Sequence, residues 1–210
     1  MAEPQQNEGR DTRRLIVERA AEQFALWGYA GASISDIAAA VGVSKPALYY
    51  HFSDKEEIYT EIVTSVLSQM RARAEAAVAA QPDAPAKLRA FMRVHAQYLH
   101  ENEHAYIAAQ LGFRGLRATE GRGRALELRD RYEAVLKGII AEGCRSGVFR
   151  LTDQRAAVML VLSALNWMAR WYRSDGETPA AEFADRYCNM LLDGFRPRDP
   201  PRPARRKRTI

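Results

Sequence analysis

The sequence contains few cysteines and no apolar run long enough to span a membrane. Cys144 and Cys188 lie far apart and without paired spacing, which excludes a disulfide scaffold and a cysteine-rich zinc site. The longest apolar stretch, residues 156–169, includes Ser163 and Asn166 and falls short of the ~20 apolar residues that a spanning helix needs. The N-terminus is polar, so we expect no secretory signal, and the cytoplasm is the default compartment.

A general excess of one charge is also absent, although the formal net charge is +5. The segment from Arg196 to the end holds seven basic residues and one acid, so the rest of the chain is net −1. This tail is rich in Pro and Arg and has almost nothing apolar to bury. We therefore expect residues 197–210 to be disordered and either to favour solubility or to touch DNA phosphates without sequence preference.

Long strand-like runs of Val, Ile and Thr are missing as well, and alanine recurs along most of the chain, which favours an all-α fold. Apolar spacing, capping residues and Pro or Gly breaks predict about nine helices. A change of pattern near residue 56 divides them into a small three-helix unit and a larger C-terminal bundle. The predicted helices cover about residues 12–27, 33–41, 44–52, 54–80, 86–101, 103–114, 121–145, 153–173 and 179–194.

Residues 33–55 have the parts of a helix-turn-helix, in which the second of two short helices enters the major groove of DNA. Gly42 supplies the tight turn, and Ala38 is small where the two helices must approach closely. The apolar inner face is formed by Ile34, Ile37, Val41, Val43 and Leu48. The opposite face of the second helix is then free to meet DNA.

That opposite face carries polar and aromatic side chains suited to DNA. Lysine and tyrosine can reach phosphates or base edges, and a small alanine permits contact with a thymine methyl group. Aromatics on an amphipathic helix also commonly cover a bundle, and the residues alone leave that alternative open. The candidate contacts are Lys45, Ala47, Tyr49, Tyr50, His51 and Lys55.

The stretches AAEQFALWGYAGASISDIAAAVGVS and KPALYYHFSDKEEIY resemble the DNA-binding domain of the TetR family of bacterial regulators. The resemblance is ungapped and covers about the first 55 residues. It implies an all-α homodimer with an N-terminal helix-turn-helix and a C-terminal ligand-binding and dimerisation domain. It further implies a repressor on a pseudo-palindromic operator, with no cofactor and no catalytic residues.

The resemblance also assigns roles by position. It places Lys45, Ala47 and Tyr49 at bases or adjacent phosphates. It gives contacts with the DNA backbone to Tyr50, His51 and Lys55. The start of the preceding helix is anchored, on the same resemblance, by Ser33 and Ser35.

The sequence is therefore predicted to contain four segments. They are an arm (1–10), a DNA-binding domain (11–56), an effector and dimerisation domain (57–196) and the basic tail (197–210). Residues 1–56 hold six basic and eight acidic residues. DNA binding must therefore depend on where the charges lie and on dimerisation, because the domain has no bulk positive charge.

In the family the last two long helices pair with their mates in a four-helix dimer interface. The resemblance therefore implies a homodimer through residues 153–173 and 179–194. Apolar residues on both helices fit that role, although an intramolecular core would use them equally well. They are Val158, Leu162 and Leu165 on the first helix and Phe183, Tyr187, Met190 and Leu191 on the second.

The segment ALNWMARWYRSDGETPAAEFADRYCNMLLDGF resembles a branch of the family that senses acyl-CoA thioesters of fatty-acid, sterol or aromatic catabolism. Such an effector needs an aromatic-lined tunnel for the acyl group and basic residues for the CoA phosphates. The tunnel candidates are Tyr98, Tyr106, Phe113, Trp167, Met168 and Trp171, and the phosphate candidates are Arg114, Arg117, Arg170 and Arg173. The alternative is a regulator of an efflux gene that senses diverse hydrophobic compounds.

Two other classes of protein are alternatives to a ligand-responsive repressor. His100 and His104 form the H-E-x-x-H pattern of zinc proteases, which makes a zinc hydrolase a remote alternative. However, the helical pattern breaks near Asn102 and no third histidine follows, so we expect no metal site. The other rival is a nucleoid-binding protein that uses its basic tail and ignores DNA sequence.

Overall fold

The computed structural model describes residues 3–112 and 120–195, which form nine α-helices and no strand. The predicted all-α fold is thus confirmed for this part of the chain. Phe113, Arg114, Arg117 and the basic tail lie outside the described residues. The helices are α1 (Glu3–Gly31), α2 (Ile34–Val41), α3 (Lys45–His51), α4 (Lys55–Ala79), α5 (Ala84–Glu101), α6 (Glu103–Gly112), α7 (Glu120–Arg145), α8 (Gln154–Met168) and α9 (Ala180–Phe195).

Helix α1 is longer than predicted at both ends. It begins at Glu3, so residues 3–10 of the expected arm are helical. The predicted end near Trp27 coincides with a kink at Gly28, whose φ of 70° and ψ of 167° suit a residue without a side chain. One more turn follows, in which the backbone N–H of Ala32 donates to the Gly28 carbonyl at 3.2 Å.

The second and third helices are short because polar caps and a glycine fix their ends. Ser33 caps α2 in a capping box with Asp36, and Ser44 caps α3 by accepting the backbone N–H of Ala47. Between them Gly42 ends α2 with a φ of 80°, which is the tight turn that the sequence predicts. Leu48 and Ile37 are fully buried beneath this turn, so the opposite face of α3 is left to solvent.

Helix α4 joins the N-terminal unit of α1, α2 and α3 to the larger bundle. It begins at Lys55 with Asp54 as its N-cap and contacts α1 as well as α5, α6 and α7. Tyr59 is buried on α4, where its ring meets Phe24 and Tyr29 of α1 with centroids 5.4 and 5.0 Å apart. A displacement of α4 therefore moves groups in both units.

Helix α8 ends at Met168 rather than near residue 173. The backbone N–H groups of Trp171 and Tyr172 both donate to the Met168 carbonyl, at 3.1 and 2.8 Å. The final turn is therefore tighter than an α-helical turn, and the helix ends there. The Trp171 ring then packs edge-on against Phe183 of α9, with centroids 4.9 Å apart. Among the described residues, no helix is both long and apolar enough to cross a membrane.

Candidate DNA-binding face and ligand cavity

The exposed face of α3 carries most of the predicted DNA contacts. Lys45 and Ala47 are exposed, and the side chains of Tyr49 and Tyr50 have 51% and 87% of their surface accessible. These residues do not cover a bundle within this chain, which removes the alternative that the sequence left open for the tyrosines. His51 is half-buried at the end of the helix.

Ser33 and Ser35 lie at the start of α2, as predicted. The Ser33 hydroxyl donates to the Asp36 carboxylate at 2.6 Å, and the Ser33 backbone N–H donates to it at 3.1 Å. Hydrogen bonds from the side chain and then the backbone of Ser33 lower the pKa of Asp36. Ser33 therefore fixes the first turn of α2, while Ser35 is half-buried within it.

An arginine on α1 joins the end of α3 to α4. The Arg13 guanidinium donates to the His51 carbonyl and to the Glu61 carboxylate, lies 3.4 Å from Glu57 and sits over the Phe52 ring at 3.9 Å. The carbonyl belongs to the last residue of α3, and both carboxylates belong to α4. The orientation of α3 is thus fixed relative to α4 by one side chain.

Lys55 has a structural role that the sequence did not predict. Its ammonium donates to the backbone carbonyls of Tyr29 and Ala32 at 2.8 and 3.0 Å and lies 4.4 Å from the centroid of the Tyr29 ring. These contacts tie the start of α4 to the end of α1. The sequence predicts Lys55 on the outer face, in contact with the DNA backbone. It is instead half-buried, because the kink at Gly28 brings two carbonyls within its reach.

A cavity of about 370 Å³ lies inside the larger bundle. Residues of α4, α6 and α8 give it an apolar side, and its other side is polar. Helix α4 contributes Val63, Val66, Leu67 and Met70, and the remaining lining residues are His95, Tyr106, Ala109, Gln110, Arg129, Tyr132, Glu133, Leu162 and Asn166.

A chain of hydrogen bonds runs along the polar side of this cavity. The buried His95 ring contacts the Tyr132 hydroxyl through Nδ1 and the Tyr106 hydroxyl through Nε2, each at 2.7 Å. The Tyr106 hydroxyl donates to Asn166 Oδ1 at 3.0 Å and accepts from Gln110 Nε2 at 3.2 Å. Burial lowers the pKa of His95 to about 3 and raises the pKa values of both tyrosines. All three rings are therefore neutral near pH 7.

The neutral state of His95 predicts a pH dependence of stability. As the pH falls below the ordinary value of 6.5, the unfolded chain takes up a proton that buried His95 does not accept until about pH 3. The free energy of unfolding should therefore fall with decreasing pH, by up to about 1.4 kcal/mol per pH unit for this proton. Urea titrations between pH 6.5 and roughly pH 5 avoid the range in which carboxylates dominate.

A matched pair of variants isolates this effect. In His95→Gln the free energy of unfolding should lose the part of its pH dependence that this one proton contributes. His104→Gln, which replaces an exposed histidine, should retain that pH dependence. An unchanged slope in His95→Gln would mean that His95 is not buried in its neutral form.

Among the residues that were predicted to bind the effector and that the structure describes, Tyr106 lines the cavity. Tyr98 is buried elsewhere on α5, with the Arg73 guanidinium 5.1 Å from its ring centroid. Trp167, Arg170 and Trp171 do not line the cavity. Leu162 and Asn166 of α8 face it, and Trp167 is rotated about 100° from Asn166 because a helix has 3.6 residues per turn.

Sequence reasoning missed the polar side of the cavity. A histidine on the apolar face of α5, which buries Leu88, Phe91, Met92 and Leu99, was the available signal. Its partners Tyr106 and Tyr132, and Asn166 beyond Tyr106, come from three other helices. That meeting depends on how the helices pack, which no spacing within one helix reveals.

The H-E-x-x-H residues do not form a zinc site. Helix α5 ends at Glu101, and Asn102 has a φ of −133° and a ψ of 41°, so His100 and His104 do not share one continuous helix. The His100 Nδ1 atom lies 3.0 Å from the Tyr172 hydroxyl. No cluster of His, Cys, Asp or Glu able to hold a metal occurs among the residues that the structure describes.

Large apolar side chains are exposed on both α8 and α9. Trp167 has 60% of its surface accessible, and Met159, Leu160 and Met190 are also exposed. The α8 residues that we had named for the dimer interface, Val158, Leu162 and Leu165, are instead buried in the core of the chain. Their burial favours the alternative of an intramolecular core for these three residues, on a helix that contacts α5 and α7. On α9, Phe183, Tyr187 and Leu191 are half-buried.

A capped helix-turn-helix, one long connecting helix and a helical domain with an internal cavity together define a helix-turn-helix regulator. Two family models match this division. The model described as bacterial regulatory proteins of the tetR family matches residues 16–62, and that of the tetracyclin repressor-like C-terminal domain matches residues 81–195. The chain belongs to the TetR family of bacterial regulatory proteins, and it is a transcriptional regulator rather than an enzyme.

Similar proteins cover almost the whole chain. The transcriptional repressor KstR2 of Rhodococcus jostii is 28% identical over 89% of this chain and 93% of its own length. The TetR-family regulator PfmR of Thermus thermophilus is 42% identical, with a TM-score of 0.79 over 85% of this chain and 97% of that one. The regulator FadR of Bacillus subtilis, solved with stearoyl-CoA, is 25% identical, with a TM-score of 0.71 over 87% of this chain and 98% of that one.

Proposed function

We propose that the protein is a dimeric repressor that leaves its operator when a CoA thioester enters the cavity. The observation that carries this proposal is the position of α4. This helix begins just after α3, the proposed recognition helix for DNA, and supplies apolar lining of the cavity through Val63, Val66 and Met70. An effector in the cavity therefore touches the helix that sets the position of the DNA-binding unit.

DNA recognition falls to the exposed side of α3. Lys45, Ala47 and Tyr49 are proposed to meet bases or adjacent phosphates, and Tyr50 and His51 the backbone. Lys55 has two carbonyl acceptors for three N–H donors, so one donor remains for a phosphate while the side chain fixes α4. Ser33 and Ser35 support the contact by fixing the start of α2 rather than by reading bases.

Dimerisation is proposed to use the exposed apolar face of α8 and α9. The residues that would be covered are Met159, Leu160, Trp167 and Met190. A two-fold dimer covers the same face on both copies, so it is self-complementary. It also sets the distance between the two recognition helices, which must match the separation of two operator half-sites.

The effector class is supported by likeness and by chemistry. FadR, at 25% identity over most of both chains, was solved with stearoyl-CoA, which supports a CoA thioester as the class of effector. Apolar side chains of α4 and α8 suit an acyl group. The CoA nucleotide is large and anionic, so it would remain at the exposed residues Gln110 and Asn166.

A hydrogen bond joins α6, which lines the cavity, to α4, which packs on α1. The Tyr59 hydroxyl of α4 donates to the carbonyl of Ala108 at 2.8 Å, and the next residues of α6, Ala109 and Gln110, line the cavity. The Tyr59 ring in turn packs on Phe24 and Tyr29 of α1. Movement of α6 on ligand entry would therefore pull on α4 and α1 together.

Replacement of Tyr59 by Phe should weaken this coupling without closing the cavity. We expect the variant to bind operator and thioester, but to need a higher thioester concentration for release, because one link between α6 and α4 is gone. The loss should be on the order of 1 kcal/mol of coupling, the usual value for one buried hydrogen bond. Operator affinity measured with and without saturating thioester gives the coupling directly. Unchanged coupling would remove Tyr59 from the pathway.

The proposal is tested by operator release. DNA from upstream of the gene for this protein is labelled, and its fluorescence anisotropy is followed as long-chain, sterol-type and aromatic CoA thioesters are added, with free CoA as control. Release by a thioester and not by CoA is the expected result. If no thioester releases the DNA, the CoA assignment is wrong. Release by hydrophobic cations instead would favour the efflux regulator.

A further inference from the structure

The polar side of the cavity carries information about its ligand. Five of the lining residues form one connected set of hydrogen bonds: Tyr132, His95, Tyr106, Asn166 and Gln110. A cavity for a plain hydrocarbon chain needs none of these groups, because an acyl chain offers no hydrogen bond in return. Such buried polar groups are costly unless they are satisfied. The donor and the acceptor of each bond therefore show which hydrogen-bonding group a ligand would have to supply.

The proton positions follow from one bond to the next. Tyr106 has a single hydroxyl hydrogen, which it donates to Asn166 Oδ1 at 3.0 Å. Gln110 Nε2 donates to the same Asn166 oxygen at 3.0 Å, which holds that oxygen in place. The Tyr106 oxygen can therefore only accept from His95, so Nε2 of the neutral ring carries its proton. Nδ1 is then bare and must accept the hydrogen of Tyr132.

Tyr132 stands at the buried end of this set. Its one hydrogen is given to His95 Nδ1 at 2.7 Å, so its oxygen can act towards the cavity only as an acceptor. The opposite end, at Gln110 and Asn166, is exposed. A thioester whose nucleotide stays outside would thus bring the far end of its acyl group towards Tyr132.

We infer that the effector carries an O–H or N–H group on the distal part of its acyl chain and donates it to the Tyr132 oxygen. This inference rests on the proposed function, since it specifies the ligand of the same cavity. A hydroxylated acyl group satisfies it, whereas an unsubstituted chain leaves the acceptor without a partner. A keto group places a second acceptor against the first, because neither oxygen has a hydrogen to give.

The test compares three matched CoA thioesters at several chain lengths, by calorimetric titration of the full chain. Their penultimate carbon is unsubstituted, bears a hydroxyl or bears a keto group. At the chain length that reaches Tyr132, we expect the hydroxyl compound to bind about ten-fold more tightly than the other two. Tyr132→Phe should abolish that preference. Tyr98→Phe, at a buried tyrosine outside the cavity, should retain it.

The outcomes distinguish a failure of this inference from a failure of the proposed effector class. Equal affinities, or a preference for the keto compound, would overturn this inference and leave the proposed function standing. Retention of the preference in Tyr132→Phe would also overturn it. If no thioester binds at any length, both this inference and the proposed effector class are wrong. If Tyr132→Phe does not fold, the comparison of the three ligands on the wild-type protein still decides.

Discussion

Replacing Trp167 by Glu should convert the proposed dimer into a folded monomer. Trp167 is 60% exposed on α8, so the substitution leaves the core intact. In a two-fold interface each copy would bring its own carboxylate to the same apolar face, and the loss of a central aromatic typically costs more than about 2 kcal/mol of association. Sedimentation equilibrium at micromolar concentration measures this change.

The monomer should also lose most of its affinity for a full operator. Two half-sites bound by one dimer act together through effective concentration, and separating the two units removes a gain of about 10²- to 10⁴-fold. Trp27→Glu is the matched control, because Trp27 is 66% exposed on α1, outside α8 and α9. That variant should sediment as a dimer. A dimeric Trp167→Glu protein would show that the interface lies on another face.

Replacing Tyr49 by Ala should weaken operator binding by about 1–3 kcal/mol, the range of a good base or phosphate contact. The fold should persist, because the Tyr49 side chain is half-exposed while Leu48 beside it carries the packing. Operator titrations at several salt concentrations give the change, and urea unfolding checks the fold.

Tyr49→Phe separates the two parts of this side chain. If the hydroxyl makes the contact, Phe should bind as weakly as Ala, and if the ring does, Phe should bind like the wild type. Binding of Tyr49→Ala within two-fold of the wild type at every salt concentration would show that this residue does not face DNA.

The sequence alone predicted the elements whose signals are local. Ser33, Gly42 and Ser44 fix the ends of α2 and α3 by bonds within a few residues, so the helix-turn-helix was readable from spacing. The end of α8 was not, because its last residues leave the helix to pack on Phe183 of α9. Helix ends that depend on a distant neighbour carry no local signal.

The candidate sites divide in the same way. The exposed side of α3 followed from one amphipathic helix, since Leu48 is buried and Tyr49 and Tyr50 are not. The cavity did not follow, because it depends on which faces of four or more helices meet. Trp167 illustrates the limit: its aromatic ring suggested a ligand tunnel, yet its helical phase turns it to the outer surface.

The cavity between α4, α5, α6, α7 and α8 is proposed to be the effector site that controls DNA binding. Ala109 lines this cavity, and a Phe in its place would fill the space that an acyl chain needs. The decisive measurement is operator release by the active CoA thioester, compared between the wild type and Ala109→Phe. We predict that the wild type is released while the variant stays on its operator at the same thioester concentration. Equal release of both proteins would show that this cavity is not the effector site.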